Sequence, residues 1–383
     1  TAHDAELPLQ EQCVAFGDGV NFEKYQYNPV IAGDVLPEGS SINDFRDPKV
    51  WKENGIFNMV VGNRPKDGSG QILLFQSKDL LDWSLKGIVD SCQNAYGKMW
   101  ECPDFFAIDG KNVLLTSPQE MRPMGLEFHA GHGTLALIGN FDMENCKFQR
   151  ENIQAIDYGI DFYAPQTLLT KDGRRIMIGW MQNWTTSNCQ NNELRWFGSM
   201  TLPRELKVVN GRLIQNPVRE IENYRQNKVE YHHVLVSDEM NLHDVRGRKI
   251  DMSVTVKQTT PLNHYNWFKL HISKDGIHEA TIRIRPDLGT VKIDRSRCGG
   301  RFDIVHTRTI PVNILNGEIK LRVIMDGNSV ELFINDGEQA ATFLLYAPDS
   351  ANRISFEASG TALIDVEKYD IVVTNNFQWE ENL

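Results

Sequence analysis

The 383-residue chain has no paired-cysteine motif, no long apolar run, no block of like charge and no low-complexity stretch. Its six cysteines (Cys13, Cys92, Cys102, Cys146, Cys189 and Cys298) are scattered without a CxxC pair, which fits free thiols in a reducing compartment and a cytoplasmic location. No apolar run approaches the roughly 20 residues needed to span a bilayer. The net charge of −11 argues against nucleic acid or an anionic membrane surface as the main partner. One N-x-T triplet, Asn183-Trp184-Thr185, says little about secretion because such triplets arise by chance. Thr1-Ala2-His3-Asp4 is not a secretory leader.

What the chain does contain is a recurrence. Arg46-Asp47-Pro48, Glu101-Cys102-Pro103 and Ala164-Pro165-Gln166 each precede an apolar strand, a polar turn and a second apolar strand. These read KVW-KENG-IFNMVVG, DFFAI-DGK-NVLLTSP and TLL-TKDGRR-IMIGWM, and the prolines recur after 55 and then 62 residues. A second signature follows within a repeat: an apolar strand, a turn with Asp, then an aromatic and a basic residue, as in ILLFQ-SKDLLD-WSLK and TLALIG-NFDMENC-KFQR. Alternation punctuated by Gly, Asp and Asn marks hairpins, not helices. Strand–turn repeats of this length predict radially arranged four-stranded sheets, a β-propeller whose repeats each begin on their innermost strand. Complete repeats are expected at about 42–95, 99–157 and 160–216, and residues 1–33 supply the back half of another. Asp47, Glu101 and the Tyr163–Gln166 stretch then converge on one central funnel, and two carboxylates there point to hydrolytic sugar chemistry.

Beyond Asn216 the texture changes. PVREIENYRQNK reads as a linker over 217–229, followed by eight or nine short alternating strands between 230 and 383, from KIDMSVTVKQ to ALIDVEKYDIVV. That pattern predicts an antiparallel β-sandwich with no catalytic cluster of its own. The expected organisation is all-β, with a propeller over 1–216 and a sandwich behind it.

INDFRDPKVW, MWECPD, DFYAPQT, RRIMIGWM, WFGSMTLPREL and DGNSVELFINDGE together resemble the β-fructofuranosidases of glycoside hydrolase family 32, the invertases, sucrose-6-phosphate hydrolases, inulinases and levanases. The resemblance runs along essentially the whole chain in the family's motif order. It implies a five-bladed propeller followed by a β-sandwich, and cleavage of non-reducing terminal β-D-fructofuranosides by a retaining double displacement. No metal or organic cofactor is implied. One family feature does not occur here: the Trp-Met-Asn-Asp-Pro-Asn-Gly-like segment that carries the nucleophile. Asn43-Asp44 does not replace it, since it is followed by Phe45 and belongs to the Arg-Asp-Pro motif. The expectation is a chain lacking the first blade and part of the second, on the order of 80–90 residues at this repeat length. Such a chain by itself is expected not to hydrolyse sucrose. Besides the sugar substrate, a separate N-terminal fragment or a second copy of the chain is the partner expected at the open edge.

Retaining glycosidases need two carboxyl groups about 5–5.5 Å apart, one nucleophilic and one protonating the leaving oxygen. By resemblance Glu101 is the general acid/base and Asp47 the transition-state stabiliser that accepts hydrogen bonds from fructose hydroxyls. Arg46 would pair with Asp47 and contact sugar oxygens. Trp196 matches an aromatic lining the fructose subsite, with Trp100, Tyr163 and Gln166 as further lining candidates. Cys102 would tune Glu101 or pack as an inert thiol. His129 and His132 in EFHAGHG lack a third metal ligand and read as a loop at the substrate entrance. Two other readings stay open: a propeller glycosidase acting on arabinose or xylose, and a nucleophile-less propeller–sandwich that only binds fructans.

Overall fold

The computed structural model describes residues 9–187, 198–260, 265–298, 300 and 304–373. A short hairpin comes first, β1 (Ala15–Gly17) paired with β2 (Phe22–Lys24). Three four-stranded antiparallel meanders follow. The first is β3 (Ser40–Glu53), β4 (Ile56–Pro65), β5 (Gln71–Ser77) and β6 (Trp83–Ser91). The second is β7 (Trp100–Ile108), β8 (Lys111–Pro118), β9 (Leu135–Asp142) and β10 (Lys147–Ala155). The third is β11 (Tyr163–Leu169), β12 (Arg175–Trp180), β13 (Arg204–Val209) and β14 (Arg212–Pro217). These are the three repeats read from the sequence, and they are propeller blades. Their first strands lie side by side, since Lys49 of β3 reaches both Asp104 of β7 and Gln166 of β11.

The sequence of each blade follows from its neighbours. A middle strand has a blade on either face, so it is buried on both sides and reads as a continuous apolar run. Leu73, Leu74 and Phe75 in β5, Val113 to Leu115 in β8 and Leu135 to Ile138 in β9 are all buried. The outermost strand β6 instead alternates between exposed and covered positions, as one solvated face requires. One apolar cluster, including Phe106, Leu115, Ile138, Phe162, Met177 and Leu213, joins the second and third blades. Truncating one such large residue to alanine typically costs about 2–5 kcal/mol. Two glycines let the first and second blades touch. A Cβ on Gly62 would come within 2.5 Å of the Trp100 carbonyl, and one on Gly70 within 2.4 Å of the Lys98 carbonyl.

The second unit is the β-sandwich. Its strands are β15 (Arg225–Val236), β16 (Lys249–Gln258), β17 (Trp267–Lys274), β18 (Glu279–Arg285), β19 (Thr290–Arg297) and β20 (Thr307–Pro311). They are followed by β21 (Ile319–Asp326), β22 (Ser329–Ile334), β23 (Gln339–Leu344), β24 (Arg353–Ser359) and β25 (Ala362–Ile371). One sheet runs β15-β25-β16-β21-β22-β23 and the other β20-β19-β18-β17-β24. Two strands exceed the sequence reading. Both β15 and β20 are sheet-edge strands; β15 is largely exposed and β20 is only five residues long, so neither carries a clear apolar alternation to read. In the span read as a linker over 217–229, a 3-10 turn occupies Arg219–Tyr224 and β15 begins at Arg225.

Candidate active site

Each repeat proline follows a backbone kink. Asp47, Cys102 and Ala164 have left-handed φ values of 66°, 50° and 51°. Strand pairing slips at the same point in all three blades, between Arg46 and Lys49, Glu101 and Asp104, and Tyr163 and Gln166. These are β-bulges, which re-aim side chains and gather beside active sites. A non-glycine residue held in this conformation costs on the order of 1–3 kcal/mol, which the surrounding blade must offset. The residues flanking each bulge, on either side, reach across to the next blade, and two tiers of contacts result.

The first tier is Arg46, Glu101 and Tyr163. Arg46 donates to Glu101 Oε1 from Nε at 3.1 Å and from Nη2 at 2.7 Å. The Tyr163 hydroxyl lies 2.7 Å from Glu101 Oε2 and 2.9 Å from the Ser117 carbonyl, so its single proton is shared between two acceptors. Asp44 braces Arg46 from behind at 2.9 Å and is itself met by Arg64 at 2.7 Å. Burial opposes the Arg46 charge, but Asp44 and Glu101 outweigh it and the guanidinium holds its proton more firmly than usual. Burial, reinforced by Glu101, pushes the Tyr163 phenol far above its ordinary range, so it acts as a neutral donor. His132 packs edge-on against Tyr163 with centroids 5.8 Å apart, and burial lowers its pKa against the opposing pull of Glu101 and Glu120.

The second tier is Lys49, Asp104 and Gln166, one residue past each proline. Lys49 Nζ lies 3.3 Å from Asp104, 3.1 Å from Gln166 Oε1 and 2.7 Å from the Thr167 carbonyl. Gln166 in turn donates to the Cys102 carbonyl at 3.0 Å. Between the tiers, Asp47 Oδ2 accepts from the Cys102 backbone N–H at 3.0 Å and lies 3.6 Å from its thiol.

The structure therefore gathers Arg46, Asp47, Glu101, Cys102, Tyr163 and Gln166. Two expected relations differ. Arg46 turns to Glu101 and Asp44 rather than to Asp47, because the bulge at Asp47 carries that carboxylate toward the Cys102 N–H instead. Trp100 is fully buried, its Nε1 donating to the Tyr96 carbonyl at 2.8 Å and its ring facing Arg150, so it packs between blades rather than lining a sugar site. Trp196 lies outside the described residues. Asp44, Lys49, Asp104 and His132 were not singled out for these contacts. The repeat frame held the signal for Lys49 and Asp104, which stand at the position occupied by Gln166. Asn183 of the sequon is buried, and its Nδ2 donates to the His132 carbonyl at 2.9 Å.

Two expectations arise directly. In a counterpart that carries the nucleophile segment, Tyr163→Phe removes one donor to Glu101, and with the proton already shared the lower end of a charge-assisted bond applies, about 1.5 kcal/mol or tenfold in kcat/KM. An unchanged kcat/KM would remove Tyr163 from any role in holding Glu101. Burial, then Asp47 and Glu101, push the Cys102 thiol far above its usual range. At pH 8 iodoacetamide should label exposed Cys13 and leave Cys102 unmodified, as read by peptide mass spectrometry.

Blades that share bulged inner strands, a clasped carboxylate at the point where they meet, and a following β-sandwich define a propeller-type glycoside hydrolase. Residues 1–217 match the glycosyl hydrolases family 32 N-terminal domain and residues 220–373 the family 32 C-terminal domain, and the chain belongs to glycosyl hydrolase family 32. The sucrose-6-phosphate hydrolase of Escherichia coli is 33% identical over 357 residues, covering 92% of this chain and 71% of that protein. A raffinose invertase of Escherichia coli is also 33% identical, with the same coverage of 92% and 71%. The solved β-fructofuranosidase of Bombyx mori superposes with a TM-score of 0.77 at 30% identity, covering 94% of this chain and 72% of that one. A variant of that silkworm enzyme has been solved in complex with sucrose.

Proposed function

We propose that this chain carries the acid/base side of a retaining β-fructofuranosidase site acting on terminal fructosyl groups of sucrose-type substrates. The observation that carries this reading is the clasp on Glu101, with Arg46 on one carboxyl oxygen and Tyr163 on the other. A group with that task must stand in one orientation, reach the leaving oxygen and exchange a proton there. Glu101 donates that proton to the leaving oxygen as the fructosyl carbon passes to a nucleophilic carboxylate that none of the described residues supplies, then takes a proton from the water that releases the fructosyl group. Asp47, fixed by the Cys102 N–H, presents its remaining lone pairs to fructose hydroxyls and offsets developing positive charge at the ring. Arg46 and Gln166 complete the polar wall. We assign the nucleophile to neither Asp44 nor Asp47, because two guanidiniums hold the first and a backbone donor holds the second. The free thiols at Cys13, Cys92, Cys102, Cys146 and Cys298, with the buried sequon, favour the cytoplasm.

The deciding assay joins the chain to the family's nucleophile-bearing segment and measures fructose release from sucrose, sucrose-6-phosphate, raffinose, inulin and levan, with arabinan and xylan alongside. Fructose from at least one fructoside, and no pentose from the other two, is the expected result. Pentose release would favour the arabinose- or xylose-directed reading. Fructan binding by calorimetry without any hydrolysis would leave the chain a binding module.

A further inference from the structure

A cleft of about 770 Å³ opens in the sandwich, among β16, β17, β18 and the turn before β21, within the size range of small-molecule sites. We propose that it binds a neutral sugar chain, at a site separate from the one built around Glu101. Its lining includes Gln258, Asn266, Trp267, Arg285, Asp287 and Gly317.

Three features give the cleft its chemistry. First, Arg285 and Asp287 form a two-pronged pair, Nε to Oδ1 at 2.9 Å and Nη2 to Oδ2 at 2.6 Å. The pair has no net charge, so it exerts little pull on an anion. It still offers Arg285 Nη1, which has no partner among the described residues, together with the spare lone pairs of the carboxylate. A hydroxyl group, which donates and accepts at once, matches that combination. Second, Trp267 presents an aromatic surface. Lys269 Nζ sits 4.4 Å from its ring centroid and is itself anchored 2.9 Å from Glu357. Lys269 is not among the residues lining the cleft, and its hold on the ring limits the ring's rotation. Apolar faces of sugar rings rest on such a surface. Third, Gln258 packs directly on Gly317, where a Cβ would come within 2.5 Å of its Oε1, and adds an amide able to donate and accept. An aromatic platform beside neutral donor–acceptor groups describes carbohydrate recognition, and it differs from the charged clasp around Glu101.

The test is affinity electrophoresis of the whole chain in native gels containing inulin, levan, arabinoxylan or dextran. Retardation by at least one polymer is expected, weakened about three- to tenfold in Trp267→Ala, the loss corresponding to one aromatic contact. Asp287→Asn, at an exposed position, should weaken it too, and it keeps the test sound where Trp267→Ala lowers the melting temperature. In a counterpart that carries the nucleophile segment, sucrose hydrolysis should stay at its original rate in both variants, so a failure of the fructosidase reading shows up separately. Retardation by none of the polymers would overturn the proposal. So would retardation abolished by Arg46→Ala and untouched by Trp267→Ala, which would place all sugar binding at the Glu101 site.

Discussion

In a counterpart that carries the family's nucleophile segment, Glu101→Gln is expected to lower fructose release from sucrose by about 10²–10⁴-fold, the usual worth of a positioned general acid. The amide keeps the size of the carboxyl, and its carbonyl oxygen can still accept from Arg46, so the site remains built. What it cannot do is hand over a proton. The loss should therefore sit in kcat, with the melting temperature close to the original. A fructoside whose leaving group needs no protonation, such as β-fructofuranosyl fluoride, should recover much of the first step. Equal losses for sucrose and the fluoride would give Glu101 some other task.

The largest stability effect is expected at Arg204. Its side chain and that of Asp157 are both fully buried, with Nη1 2.9 Å from Asp157 Oδ2 and 2.7 Å from Gln215 Oε1. The guanidinium also lies over Phe162 at 5.2 Å. Arg204→Met strips the buried carboxylate of this cation, a change that typically costs about 3–5 kcal/mol. For a unit of this size that lowers the melting temperature by about 6–20 °C. Replacing Asp157 with Leu in the same molecule should restore part of the loss, because the buried carboxylate is removed along with its cation. A loss below about 1 kcal/mol in the single variant would show the pair to be dispensable. Activity should fall as well, since the segment from Asp157 to Phe162 leads straight into Tyr163 and its hold on Glu101.

The blades were legible because prolines mark their frame. Pro48, Pro103 and Pro165 precede equivalent strand segments, so aligning them places Glu101 and Tyr163 together from the sequence alone. The position of Trp100 could have been read from the same frame. Consecutive residues of a strand face opposite sides, so a Glu101 reaching for the axis turns Trp100 into the packing between blades. The choice of Arg46 between Asp47 and Glu101 was not legible. It depends on the left-handed turn at Asp47, and no propensity of an Arg-Asp-Pro triplet announces that turn, since the residue before proline usually favours extended backbone. The brace on Asp44 was hidden for another reason: it needs Arg64, from the next strand, to arrive in register. In the sandwich, alternation reveals the buried strands and misses the edge strands β15 and β20.

The kink before each proline has a bearing on how such a site can change. It is a property of the main chain, and it recurs with three different residues on it, an aspartate, a cysteine and an alanine. The residue ahead of it is a cation in one blade, a carboxylate in the next and a phenol in the third. Backbone decides where a group is delivered, and the residue decides what is delivered. Chemistry at the centre can thus be rewritten by single substitutions at 46, 101 or 163 while strand pairing is left as it stands. A duplicated blade brings with it a new inward-facing position, already aimed.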